Sequence, residues 1–510
     1  MTHLTRALAI GCSALALAGC GADDIASPGS GGDIIINNPN PAPAPSPTPT
    51  PAGVTPAAGC PTINASGGLT DGGTIQGPTG TYRVCQLPAV IDADTTLPYI
   101  EGLLYALGGR VDIGTDRGAT STGSTVELTI EPGVIIYGAT GRSFLVANRG
   151  NQLIAEGTAS RPIIFTSRDN VLGLNNDSSI GQWGGVVLLG RAPVSDCRTG
   201  VINVGAANCE QELEGTATTT LFGGNQPGDS SGSLEYVQIR YSGFALAPGN
   251  ELQSLTTGGI GSGTNLNNFM SFNSSDDGME FFGGTVNMRN IIAVGADDDS
   301  IDADTGVQAN LQNAIVVQRT GGGDSLIELD SPDDDFDTDA QPQTVFNLTN
   351  FTFIERSTAN SQVIRARGGA KLNLANGIIA TDGETCIRID ETVTLNAGPT
   401  FNSIAADCDD ARPFRGDAGV TDAQVQAAFA AGSNNSADFT LTLTNLFING
   451  TNENGVAVFN PTALSSFFTV PANIGAVYPG NSDWVNGWTC NSSTATFDSS
   501  VSACTSLPVY

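Results

Sequence analysis

Histidine and lysine are almost missing from this 510-residue chain, each occurring once, as His3 and Lys371. His3 falls in a segment read below as a removed leader, so the mature protein holds no imidazole. Ser-His and Cys-His nucleophilic centres, His-ligated zinc and histidine general bases are therefore excluded, and a catalyst here has only carboxylates, arginine or Lys371. Aromatic residues are 6% of the chain, with Trp183, Trp484 and Trp488 the three tryptophans, so few rings are free to stack on sugars. Positive charge is scarce: 20 basic residues face 51 acidic ones, for a formal charge of -31. That balance excludes nucleic acid as a partner and sets the chain against anionic membrane surfaces. The one sustained apolar run, Ala7 to Ala18, is too short to span a bilayer. Glycine (64 residues) and proline (26) are plentiful, which fits loop-rich β architecture.

The first residues read as an export signal: one charge at Arg6, the apolar run, then Leu17-Ala18-Gly19-Cys20. The small residues before Cys20 resemble the bacterial lipobox, which implies a lipoprotein signal peptide over 1–19, lipidation at Cys20 and, with Gly21 next, transfer to the outer membrane. Residues 20–59 are rich in Pro, Ala, Ser and Thr, cannot bury a core, and are expected to form a disordered, extended tether. Residues 60–510 are then the folded domain with its caps. Its eight cysteines, Cys60, Cys85, Cys197, Cys209, Cys386, Cys408, Cys490 and Cys504, read as disulfides in an exported chain. Sequential pairing is expected because every pair then closes a short loop. A metal role is disfavoured, since no Cys-x-x-Cys occurs.

An internal repeat decides the fold. Asn-(Leu/Met)-x-Asn followed by a mainly apolar run begins at Asn265, Asn287, Asn310, Asn347 and Asn373, at intervals of 22, 23, 37 and 26 residues. Strands recurring at this spacing and joined by turns predict an all-β parallel β-helix with one coil per repeat. Coils stack about 4.8 Å apart, so equivalent residues form columns. Asn268, Asn290, Asn313, Asn350 and Asn376 are expected to ladder through their amides, and the column of Leu266, Met288, Leu311, Leu348 and Leu374 to face inward. Weaker strand signals extend the solenoid to about residues 85–460, ending with Phe439 to Ile448. The stretch from Thr421 to Ala431 is the one credible helix, read as part of an insertion or cap with Thr421 as N-cap. The segments 60–85 and 490–504 are expected to reinforce the ends, with Trp484 and Trp488 packing a C-terminal cap.

The runs NELQSLTTGGIGSGTNLNN (250–268), SSDDGMEFFGGTVNMRN (274–290) and GADDDSIDADTG (295–306) resemble the signature of β-helical bacterial surface lipoproteins of the leptospiral outer-membrane type. IEPGVIIYG, RPIIFTSR, QWGGVVLLG and NIGAVYPGNSDWVNGWT are further similar phrases. The resemblance implies a right-handed parallel β-helix on a lipid anchor, and it implies no activity or catalytic residues.

An acidic belt stands out. Sixteen carboxylates lie between Asp276 and Asp339, opposed only by Arg289 and Arg319. The repeat sets Asp277, Asp299 and Asp324 at the start of successive coils, with Glu280, Asp302 and Glu328 just beyond and Asp304 nearby. Asp333, Asp335, Asp337 and Asp339 alternate in a loop that the 37-residue interval projects. Stacked carboxylates repel, so these residues are candidate ligands for a hard cation, calcium, with solubilising turn residues as the plainer reading. With the outer-membrane lipid anchor that the resemblances imply, the composition and belt lead to the expectation of a non-enzymatic lipoprotein that binds a polysaccharide or an outer-membrane protein. The alternatives are a calcium-dependent lyase or hydrolase, with Asp277, Asp299, Asp302, Arg289 and Arg319 as its available groups, and a structural or adhesive surface protein.

Overall fold

A computed structural model describes residues 53–120, 125–198, 209–216, 218–244, 251–331, 341–357, 362–409 and 411–510. The leader, Cys20, the linker to residue 52, and Asp333, Asp335, Asp337 and Asp339 lie outside the described residues. Each repeat forms one long strand: Asn265–Phe272, Thr285–Val294, Gln308–Val317, Val345–Ile354 and Lys371–Ala380 pair in parallel, each with the next. Between them, Leu255–Gly258, Met279–Phe282, Asp302–Asp304, Ile327–Leu329, Gln362–Ala366, Thr385–Asp390 and Phe414–Asp417 build a second parallel sheet. The sheets share one apolar core, in which Leu266, Met288, Leu311, Leu348 and Leu374 point inward as the repeat requires. The chain is a parallel β-helix.

The second asparagine of each motif turns a corner. Asn268, Asn290, Asn313, Asn350 and Asn376 all have φ between +48° and +63°, and Tyr236 and Ser403 continue the column on either side. Asparagine is among the few side-chain-bearing residues that adopt this left-handed region readily, which explains its recurrence more directly than an amide ladder does. The expected ladder forms only in part: Asn290 Nδ2 donates to Asn268 Oδ1 at 2.6 Å and Asn313 Nδ2 to Asn290 Oδ1 at 2.9 Å. Beyond it, Asn350 donates to the Asn473 and Gly475 carbonyls, and Asn376 exchanges two bonds with the Phe459 backbone. The longer ladder belongs to the first asparagine of the motif, running from Asn287 through Asn310, Asn347 and Asn373 to Thr400. Asn290→Val is expected to cost about 1–3 kcal/mol by chemical denaturation, through left-handed strain in a β-branched residue. Asn290→Gly keeps the bend and should lose only the ladder bonds, about 1 kcal/mol.

After the corner, alternate residues point outward, and in four of the five repeats the first of them is apolar, Met270, Ile292, Ile315 and Ile378, with Thr352 the exception. They are covered by the chain's last seventy residues, which run back along the outside of the solenoid. Phe439, Leu441 and Leu443 pack near Ile378 and Ala405, while Phe447, Val477 and Trp488 join the cluster around Met270 and Ile292. Farther along, Gln238 donates to the Trp488 carbonyl, Arg240 to that of Cys504, and Tyr510 to that of Pro162. This corrects three expectations. The strands of the two parallel sheets end at Asp417, not near residue 460, with only single parallel bridges beyond. Phe439 to Ile448 forms no strand, only isolated bridges of Ile448 with Thr444 and Val477, because its apolar side chains lie on the outward face rather than extending a sheet. Cys490–Cys504 closes a loop within this strap, and Trp484 and Trp488 pack it on the solenoid's flank, not its end.

The ends are closed separately. Thr70–Gly77 pairs antiparallel with Gly80–Gln86 at the N-terminal end, where Cys60–Cys85 pins it. Residues 53–59, expected to belong to the tether, are already docked: Val54 N–H donates to the Thr79 carbonyl and Ala57 N–H to that of Gly102. At the other end the helix Asp422–Ala430, with Thr421 and Gln424 in a capping box, packs Phe429 against Phe401 and Phe414. Two one-turn helices, Arg168–Leu172 and Thr392–Asn396, have no periodicity to announce them. All four disulfides form in the sequential pairing expected.

Candidate metal centre

In the second sheet, residues alternate between core and exterior. Met279, Phe281, Ile301, Ala303, Ile327 and Leu329 fill the core, so Glu280, Asp302 and Glu328 stand outward. Their register is direct, Glu280 beside Asp302 and Asp302 beside Glu328, and the column continues through Arg365, Arg388 and Arg415. One column thus changes sign along its length, and the two halves behave differently.

The arginine half neutralises itself. Arg365 pairs with Glu328 at 3.1 Å and Asp390 at 3.0 Å, Arg367 with Glu328 and Asp330, and Arg388 with Asp390 and Asp417. Glu328 is therefore an arginine partner rather than a free ligand. Among the described residues the acidic half has no such cation. Asp277, Glu280 and Asp302 bring ligand oxygens within 4.8 Å of one another, as do Asp276, Asp277 and Asp298, and Asp298, Asp299 and Asp324. Asp304 lies outside these groups and adds its charge to Glu280 and Asp302.

The column before the strand departs from expectation. Carrying the Glu280, Asp302 and Glu328 register back along the chain stacks Asp277 and Asp299 with Ser325, and Asp276 and Asp298 with Asp324. Asp324 keeps the place of Asp276 and Asp298, four residues before the strand carboxylate, and Ser325 replaces the second aspartate of the doublet. Asp277 Oδ1 accepts the Asp299 N–H at 2.9 Å and Asp299 Oδ1 the Ser325 N–H at 2.6 Å, so these side chains also splice neighbouring coils. Asp276, Asp298 and the flanking Glu214 and Glu251 were absent from the predicted ligand set. The doublets Asp276-Asp277 and Asp298-Asp299 are the signal that could have found the first two; Glu214 and Glu251 fall outside the repeat and have none.

Burial makes the cluster demanding. Asp277, Glu280 and Asp299 are only 5–6% exposed. Burial, and after it the charge of neighbouring carboxylates, holds the carboxyls of Asp277, Glu280, Asp299 and Asp302 well above their ordinary range. For the same reasons Asp276 is pushed up to about 8, and Asp298, although its side chain reaches solvent, to about 6. Glu280 Oε2 and Asp302 Oδ1 are buried and find no hydrogen-bond donor among the described residues. Buried carboxylate oxygens without a donor require a proton or a cation, and an all-oxygen donor set suits a hard one.

The arginines proposed for catalysis lie elsewhere. Arg289 is on the first sheet, before a corner asparagine, where it stacks on Phe467 at 4.2 Å and donates to the Phe467 carbonyl. Arg319 is held by Asp297. Neither joins Asp277, Asp299 and Asp302 in a single site, because Arg289 occupies the outward position of a different face. A family model described as a pectate-lyase-like beta helix domain matches residues 115–489. No curated protein and no solved structure gives a significant match.

Proposed function

We propose, for a chain that belongs to the pectate-lyase-like β-helix family, a binding role in which calcium occupies the Asp277, Glu280 and Asp302 cluster and bridges the acidic face to an anionic glycan. The observation behind this reading is the pair of buried oxygens, Glu280 Oε2 and Asp302 Oδ1, that lack a donor. Calcium would supply charge neutralisation and open coordination positions; Glu280 and Asp302 would hold it, and Asp277 would tie it to the next coil. Lipidation at Cys20 would hold the solenoid at the outer membrane, with residues 21–52 as a spacer. An outer-membrane protein is the other partner class that an acidic, cation-loaded face would suit.

Calorimetry with calcium tests the metal. The wild-type chain is expected to bind, and Glu280→Gln to bind at least about tenfold more weakly, because one charged ligand is lost. No heat at millimolar calcium, with no change in melting temperature, would sink the reading. Retention of the chain on immobilised acidic polysaccharide, lost in chelator, tests the glycan. A lyase is the second reading, favoured by Arg365, Arg388 and Arg415 sharing a column with Glu280 and Asp302. Sustained release of unsaturated, ultraviolet-absorbing products from the same polysaccharides would establish it over simple binding.

A further inference from the structure

On the flank away from the acidic face, the asparagine ladder stops short, and the strap rises off the solenoid at the same place. Asn313 Nδ2 donates to Asn290, but Asn313 Oδ1 receives no hydrogen bond among the described residues, because Asn350 on the next coil turns to the strap backbone at Asn473 and Gly475. The strap touches down at Thr469, which Gln312 grips from both sides: Gln312 Nε2 donates to the Thr469 carbonyl, and its Oε1 accepts the Thr469 N–H. It touches down again at Ala476, whose N–H donates to Thr352 Oγ1. Between these anchors and the stretch to Trp484 opens a cavity of about 390 Å³, floored by Asn290 and Asn313 and walled by Thr469, Tyr478, Asp483 and Trp484.

We propose that this groove binds an uncharged saccharide. Its lining pairs two aromatic rings, which can cover the apolar face of a sugar, with amides and a carboxylate that can meet hydroxyls as donors and acceptors. Among the described residues no lysine or arginine lines it and its only charge is the Asp483 carboxylate, so a uronate would meet repulsion rather than pairing. Trp484 is fixed for the role: its Nε1 donates to the Ala476 carbonyl at 3.0 Å, and its own carbonyl accepts from Trp488 Nε1. The groove needs no cation, so it acts independently of the carboxylate cluster. A glycan-binding solenoid would then contact its target at two faces of different chemistry.

Fluorescence and calorimetric titrations of the full chain with maltotriose, cellotriose, xylotriose and trigalacturonate, each with and without chelator, test this. At least one neutral trisaccharide is expected to bind equally well in chelator, with trigalacturonate at least about tenfold weaker. Trp183 and Trp488 are fully buried, so the fluorescence change should vanish in Trp484→Phe while calorimetric binding persists. Trp484→Ala is expected to lose at least about tenfold in affinity. Asp483→Ala, at an exposed position where folding is not at risk, should lose several-fold, and Glu280→Gln should lose nothing. Absence of binding by all three neutral sugars, equal binding of trigalacturonate in chelator, or unchanged affinity in both the Trp484→Ala and Asp483→Ala chains would overturn the proposal.

Discussion

In chelator, the melting temperature of this protein is expected to fall as pH rises from about 5 to 8, and millimolar calcium should restore it. The sign follows from the carboxyls. Asp276 and Asp298, pushed up to about 8 and about 6, bind protons in the folded state at pH values where the unfolded chain, near 3.8, has released them. Asp277, Glu280, Asp299 and Asp302 are raised in the same direction. The stability these groups allow is therefore fully present below the ordinary carboxylate range and is lost as pH climbs through the raised values. A cation reverses the dependence, because it binds the deprotonated cluster. At calcium a hundredfold above Kd the gain is about 2.7 kcal/mol, a shift of several degrees at neutral pH and little at pH 5. Differential scanning fluorimetry over this pH range, with and without calcium, checks it. A melting temperature that rises with pH in chelator would count against the cluster as described.

The second large effect belongs to the strap. Trp488 is fully buried, sits edge-on to Tyr236 at 6.0 Å, and passes its carbonyl to Gln238 across the solenoid surface. Trp488→Ala should cost about 3–5 kcal/mol of docking free energy, by loss of apolar burial plus a cavity. The strap folds over a scaffold that closes its own core without it, so the loss should be local. Limited proteolysis is expected to cut the variant between residues 440 and 510 while leaving residues 53–417 intact, and hydrogen exchange should rise along Met270, Ile292 and Ile315. Uniform unfolding of the whole chain would show instead that strap and solenoid are one cooperative unit.

Much of this architecture is legible in the sequence, because solenoids write geometry as repetition. The spacing of Asn265, Asn287, Asn310, Asn347 and Asn373 locates the strands, and the same repeat aligns Glu280 with Asp302 and Glu328. What the repeat cannot reveal is whatever breaks it. Ser325 takes the position that Asp277 and Asp299 hold in the two coils before it, and the sign change at Arg365 requires knowing that Glu328 faces arginines rather than the open cluster. The strap was missed although a signal existed. The runs after each corner, FMSF, IIAV, AIVV, FTFI and GIIA, are apolar with little alternation, as in strands buried on both faces, and such strands demand a cover from somewhere in the chain. At the corner, asparagine points first to amide chemistry, but the left-handed backbone is the stronger constraint.

The most direct test of the cation reading is a crystal structure of the protein grown in calcium, or in manganese for its anomalous signal. A peak is expected between Glu280 and Asp302, bonded to Glu280 Oε2 and Asp302 Oδ1 and absent from Glu280→Gln crystals. An empty cluster at millimolar cation and neutral pH, its carboxyls joined by shared protons, would contradict it.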